Sequence, residues 1–379
     1  VDPAYIPYGR QQLETDDIDA VIAVLQSDWL TTGPLVERFE TSLAAATGTE
    51  YAVSVCNGTA ALHTAMHGLG IGDGDEVIVP PVTFAATANA VLYQGGTPVF
   101  ADVDPQTLLL DAASVATRIT SRTKAVVAVD YAGQPCDYDA LRKITDHHGL
   151  RLISDACHSL GASWRGQPCG AQADLTVFSF HPVKPITTGE GGAIVTNNAS
   201  LARRMRTFRN HGITTDHGQR AKTGSWHYEM VELGFNYRLT DLQCALGLTQ
   251  LGKLRDFIGR RRQIARRYDE AFAEEPLVRP LDVHPAAGHG YHLYVVRIPE
   301  RDRVFTMLRE AGIGANIHYI PVHYHPYYRQ RLGTGEGLCP NAEAAYAQIL
   351  SLPIFPGLTR QDQERVVATL RAVLRGEHA

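Results

Sequence analysis

Short, nearly continuous apolar runs recur through the first 210 residues: YAVSV (Tyr51 to Val55), EVIVP (Glu76 to Pro80), TPVFADV (Thr97 to Val103), KAVVAVD (Lys124 to Asp130) and RLISDA (Arg151 to Ala156). Between most of them lie stretches of helical period, such as TAALHTAMHGLG from Thr59 and DALRKITDHHG from Asp139. Strands apolar on both sides, alternating with helices, predict a mostly parallel sheet covered on both faces. LTVFSF (Leu175 to Phe180) and GGAIVTN (Gly191 to Asn197) follow too closely for a helical crossover, so they predict an antiparallel addition.

From Leu239 the texture changes. TDLQCALGLTQLGKLRDFIGRRRQIARRYDEAF keeps a helical period over many turns, with the basic cluster Arg260 to Arg262 expected on a solvated face. A strand (HLYVVRI), a helix (RDRVFTMLREAG), another strand (GANIHYI) and two further helices are expected after it. The reading is an α/β chain: residues 1–250 a large α/β domain, 251–379 a linking helix and a small C-terminal α+β domain.

Composition narrows the function. The 379 residues are 44% hydrophobic and 20% charged, with a formal net charge of −5. That balance is ordinary for a globular protein and points neither to nucleic acid nor to a membrane surface. No apolar run reaches the roughly 18 residues that span a bilayer, and VDPAYIPYGRQQLE shows no leader pattern. The six cysteines are scattered without a CxxC pair, which fits reduced thiols and a cytoplasmic setting.

Three stretches fall where an open α/β sheet binds ligands, beyond the carboxyl ends of strands. In NGTAAL, Asn57 or Thr59 can cap a helix and Gly58 lets backbone approach closely; the first-turn amides suit a phosphate, or serve an ordinary strand-to-helix turn. No GxGxxG follows this strand and no GxxxxGK[ST] occurs, so a dinucleotide or nucleoside triphosphate is not supported. In SDACHS, Asp155 is either a cap or the partner of a buried cation. Cys157 and His158 point to opposite faces there, which argues against a nucleophilic pair. In FSFHPVKPITTGEGG, Lys184 stands between Pro182 and Pro185; an amine held where its charge is disfavoured becomes a nucleophile toward a carbonyl. Phosphate cradle, strand-end carboxylate and framed lysine are the parts pyridoxal 5'-phosphate requires.

The ordered set NGTAAL, PPVTFAATANAV, SDACHSLGA, FSFHPVKPITTGEGG and GFNYRLTDLQCALG resembles the fold-type I, PLP-dependent nucleotide-sugar aminotransferases of the DegT/DnrJ group, over nearly the whole chain. The resemblance implies that Lys184 binds the cofactor's aldehyde and shuttles the proton, and that Asp155 pairs with the pyridinium nitrogen. It also implies that Phe84 stacks on the ring and His158 lies near the phenolic oxygen. Gly58, Thr59, Ala60 and Ser179 would hold the phosphate, with Asn236, and with it Arg238, reaching in from the second subunit of a homodimer. Some members carry His in place of the lysine and act as dehydratases; an intact Lys184 favours transamination. L-glutamate would be the donor and a nucleotide-linked keto sugar the acceptor.

NIHYIPVHYHPYY (Asn316 to Tyr328) carries three histidines, but no carboxylate or cysteine at ligand spacing, so no metal is expected. In the group the corresponding loop lines the sugar-nucleotide site, which makes His318, Tyr319 and His323 candidate substrate contacts, joined by His181 and Arg238. Its wording resembles the transaminases that act on UDP-2-acetamido-2,6-dideoxy-hexos-4-ulose in pseudaminic acid biosynthesis and give UDP-4-amino-4,6-dideoxy-N-acetyl-β-L-altrosamine. GDP-perosamine-type 4-aminotransferases and dTDP-sugar 3-aminotransferases are the alternatives. A non-catalytic PLP-binding regulator is less supported, because no DNA-reading segment accompanies the fold.

Overall fold

The computed structural model describes residues 5–215, 220 and 224–376. The expected strands form as β1 (Tyr51–Val55), β2 (Glu76–Val79), β3 (Thr97–Phe100), β4 (Thr123–Val129) and β5 (Arg151–Asp155). A two-residue hairpin, β6 (Ser163–Trp164) and β7 (Gln167–Pro168), precedes β8 (Leu175–Ser179) and β9 (Gly192–Thr196). Seven of these build one sheet in the order β1-β9-β8-β5-β4-β2-β3. The pairs β3–β2, β2–β4, β4–β5 and β5–β8 are parallel, while β9 runs against both neighbours. The antiparallel addition is therefore present, in the register Thr176↔Val195 to Ser179↔Gly192.

Local chemistry sets the crossovers. The helix Gly58–Leu69 starts at Asn57, whose side chain accepts from the Ala60 amide at 2.8 Å, and ends at Gly70 in the left-handed region. Tyr138–His148 likewise starts at an Asp137 cap and stops at Gly149. Val77, Ile78, Val79, Val126, Val127, Leu152 and Ile153 are wholly enclosed between helical layers, as continuous apolar strands require.

The C-terminal region differs from expectation in three places. A second sheet runs β10 (Arg279–Pro280), β12 (Tyr294–Arg297), β13 (Ile349–Leu352), with β11 (Ala287–Gly288) joining the β6–β7 ribbon instead. GANIHYI forms no strand: Asn316 exchanges two backbone bonds with Ser351, then its side chain takes the Ile317 amide and the ladder stops. Its place is taken by β13, which the sequence reading missed.

The basic cluster is not solvated. Arg261 is 1% exposed and its Nη1 donates to the carbonyls of Tyr291, His292 and Ile354. Arg260 and Arg262 likewise bond carbonyls of Pro356, Leu358, Gly288 and His289. Together they tie the 32-residue helix Asp241–Phe272 to the turns beside it.

That helix also runs unbroken across residues 250 and 251, where the domain boundary was expected. Among the described residues three apolar clusters form, and chain segments cross between them. Ile6 packs with Val296, Leu350 and Leu370, whereas Val322, Tyr328 and Ala342 return to the core of the large sheet. Among the described residues no helix is long and apolar enough to cross a membrane.

Candidate active site

Five chain segments build the site beyond the carboxyl ends of β5 and β8. Asp155 closes β5 and is 5% exposed. Its Oδ2 accepts from the Thr87 hydroxyl at 2.7 Å, and its Oδ1 from the Cys157 amide at 3.3 Å. Thr87 shares a 2.7 Å hydroxyl contact with Thr83, so PPVTFAATANAV positions the carboxylate from the neighbouring crossover.

Lys184 follows the bend after β8, its amide donating to the His181 carbonyl at 2.9 Å. The side chain is partly buried. Burial lowers its pKa from the ordinary lysine value, while Cys157 and Asp155 act in the opposite direction. The amine therefore lies within the field of Asp155.

The turn after β1 builds a close-packed nest. Asn57 caps Ala60, and Ala61 bonds the Asn57 carbonyl, which leaves the Gly58 and Thr59 amides outside the helix's own ladder. A Cβ on Gly58 would lie 3.0 Å from Ser179 Cβ and 3.2 Å from its Oγ. One on Gly192 would lie 2.5 Å from the Asn57 carbonyl oxygen. Glycine at both places lets the turn after β1 approach Ser179 and β9 closely, which sets the helix N-terminus and its amides beside the Ser179 hydroxyl.

The opposite wall is aromatic. Phe84 is 64% exposed and its ring stands 6.2 Å from that of Tyr319. The Tyr319 hydroxyl meets His158 Nε2 at 3.1 Å. Burial, then Lys184 and His318, drive His158 well below the usual imidazole range, so it is neutral at pH 7. Its Nδ1 is buried without a hydrogen-bond partner. His318 is held by Ser351 Oγ at 2.8 Å and Asn316 Nδ2 at 3.2 Å, and its carbonyl accepts from the Tyr131 hydroxyl. Burial and Lys184 bring its pKa down to about 3.

The remaining candidates are placed differently. His181 is exposed at the bend, engaged through its carbonyl. Asn236 is exposed, and Arg238 donates to Asn210 Oδ1 at 2.7 Å; the Tyr237 carbonyl between them accepts from the Cys56 amide at the end of β1. His323 does not face a ligand site. It is fully enclosed, its Nε2 is 2.9 Å from Glu343 Oε1, and its ring packs on Phe100, because the chain turns inward at Val322 and buries that face in the core. Among the described residues no three His, Cys, Asp or Glu side chains gather to hold a metal.

Three residues escaped the sequence reading. Thr87 lies inside a quoted motif, so its neighbourhood was flagged without its role. Asp130 ends KAVVAVD just as Asp155 ends its strand, a parallel that could have singled it out. His292 precedes an ordinary strand and carried no signal at all; its ring centroid lies 4.3 Å from that of His158.

Pyridoxal phosphate fits this arrangement. The Gly58 and Thr59 amides lie outside the helix ladder beside the Ser179 hydroxyl, the exposed Phe84 offers a ring face, and the His158 Nδ1 is buried without a partner.

Known proteins match the chain end to end. The sequence model of the DegT/DnrJ/EryC1/StrS aminotransferase family matches residues 11–371. The spore coat polysaccharide biosynthesis protein SpsC of Bacillus subtilis strain 168 is 40% identical over 381 residues, covering 98% of each chain. Helicobacter pylori PseC, described as an aminotransferase involved in the biosynthesis of pseudoaminic acid, has a TM-score of 0.92 at 32% identity, covering 98% of this chain and 100% of that one. Streptococcus pneumoniae Spr1654 in its PLP form has a TM-score of 0.92 at 31% identity, covering 98% and 99%.

Proposed function

The chain belongs to the DegT/DnrJ/EryC1/StrS aminotransferase family, and from that premise we propose that it transfers an amino group from L-glutamate to the 4-keto carbon of a nucleotide-linked 4-keto-6-deoxy sugar. The acceptor is UDP-2-acetamido-2,6-dideoxy-hexos-4-ulose, and the product is the 4-amino-4,6-dideoxy-N-acetyl-β-L-altrosamine nucleotide. The carrying observation is the Lys184 amine, its charge disfavoured by burial, in the field of a carboxylate fixed by Thr87 and Cys157. PseC, at 98% coverage of this chain, supports the choice of sugar.

Pyridoxal phosphate supplies an electron-withdrawing ring that stabilises negative charge on the carbon losing its proton. The chain's residues do the rest. Asp155 holds a proton on the ring nitrogen. Lys184, its pKa lowered, would bind the cofactor's aldehyde and then act as the base for the donor's α-proton. The Gly58 and Thr59 amides and the Ser179 hydroxyl would hold the phosphate, Phe84 would lie against the ring and His158 near its oxygen; the Ala60 amide, expected to join them, is taken by the Asn57 cap. Tyr319 fixes His158 and, with His318 and His181, borders the sugar. Asn236 and Arg238 complete the site from a second copy in a cytoplasmic homodimer.

The test is a pair of half-reactions. L-glutamate should convert the loaded enzyme to its amine-carrying form, and the UDP-linked ketosugar should restore the starting absorbance. Restoration by a GDP- or dTDP-linked ketosugar alone would discard the sugar assignment and keep the transaminase.

A further inference from the structure

Behind His158 stands a second imidazole that the mechanism above does not use. His292 leads into β12 of the smaller sheet, yet it is 4% exposed and packs on His158 with ring centroids 4.3 Å apart and planes at 46°. Its backbone is clamped. Leu293 donates to the Ala132 carbonyl, and Arg261 Nη1 reaches the His292 carbonyl at 3.3 Å. Gly133 passes so close that a Cβ there would lie 2.9 Å from His292 N and 2.8 Å from the His158 carbonyl oxygen. One glycine thus sets the backbone separation of the two histidines. The His292 Nδ1 has no hydrogen-bond partner, as at His158. Burying a ring with an unused polar atom is unfavourable, so packing alone would favour an apolar side chain.

The groups that act on His292 are Lys184, Arg261, His158 and His318, with no carboxylate among them. Together with burial they keep the imidazole uncharged. His158 is uncharged for the same reasons. Two neutral rings are therefore in contact, and His158, whose Nε2 meets the Tyr319 hydroxyl, packs against His292.

We propose that His292 is a positioning residue of the reaction centre: it holds His158 against Tyr319, and so sets the pH at which the lysine–cofactor linkage takes up its proton. This rests on the reading of Lys184 as the cofactor-bearing amine. It extends the site to an element of the smaller sheet, so a displacement of that sheet would be felt at His158.

The experiment titrates PLP into cofactor-free wild-type protein, His292→Phe, His158→Gln and the double variant, and follows visible absorbance against pH. His292→Phe keeps a ring of similar size, so it should load PLP. The midpoint of its absorbance change should move by roughly half a pH unit or more, and His292→Phe should have no such effect once His158 is already Gln. An unmoved midpoint in His292→Phe overturns the proposal, as does an equal shift whether or not His158 is present. Should His292→Phe not fold, His292→Gln carries the same two outcomes. Covalent attachment of PLP, trapped by borohydride, that survives Lys184→Ala would instead overturn the underlying assignment of the lysine, so the two failures are distinguishable.

Discussion

Two neighbouring strand ends carry the same side chain and use it in opposite ways. Asp130 follows β4 and Asp155 closes β5; the strands are parallel partners, Val129 opposite Asp155, and the Asp130 amide donates to the Asp155 carbonyl at 3.1 Å. Asp130 is sealed. Ser159 Oγ at 2.5 Å, Tyr138 OH at 2.7 Å and the Cys136 amide at 3.0 Å all donate to it, and no part of it is exposed. Burial raises its pKa to about 6 despite those donors, with Asp155 adding to the rise. Asp155 has a threonine hydroxyl and one long amide contact, and it acts on the Lys184 amine across the site. Strand-end position alone does not make a carboxylate functional. What decides is the loop that follows: after Asp130 the chain folds back through Tyr138 onto the acid, whereas after Asp155 only the Cys157 amide turns back, at 3.3 Å.

Substitutions sharpen the contrast. Lys184→Ala should abolish the visible absorbance of the loaded enzyme and lower turnover roughly a thousandfold or more. Asp155→Asn should keep the lysine linkage but cut turnover by about a hundredfold or more, read in single-turnover conversion with L-glutamate. Asp130→Asn should leave turnover within about threefold, because no ligand reaches it.

Its effect belongs to stability. The fold raises this carboxyl's pKa, so its protonated form is the favoured one. The stabilising contribution is fully present below about pH 4 and is lost as pH rises through about 6, on the order of 3 kcal/mol in all. Urea unfolding between pH 4 and 7 should show this decline in the wild type and a flatter profile in Asp130→Asn. Equal catalytic losses at the two aspartates would erase the distinction.

The smallest effect concerns the loop after Ile313. Tyr319→Phe, which removes the hydroxyl on His158, should cost about 1 kcal/mol, a roughly fivefold fall in kcat/KM for the sugar, without lowering Tm. His323→Gln should do the reverse, lowering Tm while leaving sugar affinity unchanged, since that ring answers to Glu343 in the core.

The same contrast explains what the sequence discloses. Runs such as KAVVAVD and LTVFSF announce strands because both their faces are apolar, and the lysine frame announces itself through two prolines and its glycines. The sheet, its antiparallel strand β9 and the stretches that carry Asp155 and Lys184 were legible for that reason. Ring direction was not. His318 and His323 sit five residues apart on one loop, and the inward turn at Val322 separates their environments, a tertiary fact with no periodic trace. Asp130 repeats the pattern of Asp155, and nothing local tells them apart. Arg261 read as solvated because three arginines in a row look like surface, whereas its partners are carbonyls from distant turns.

The central claim is that one amine, Lys184, carries the cofactor opposite Asp155. Borohydride reduction of the PLP-loaded protein, followed by peptide mass mapping, tests it most directly. The account predicts a pyridoxyl adduct on Lys184, within FSFHPVKPITTGEGG; an adduct on any other lysine, with Lys184 unmodified, would contradict it.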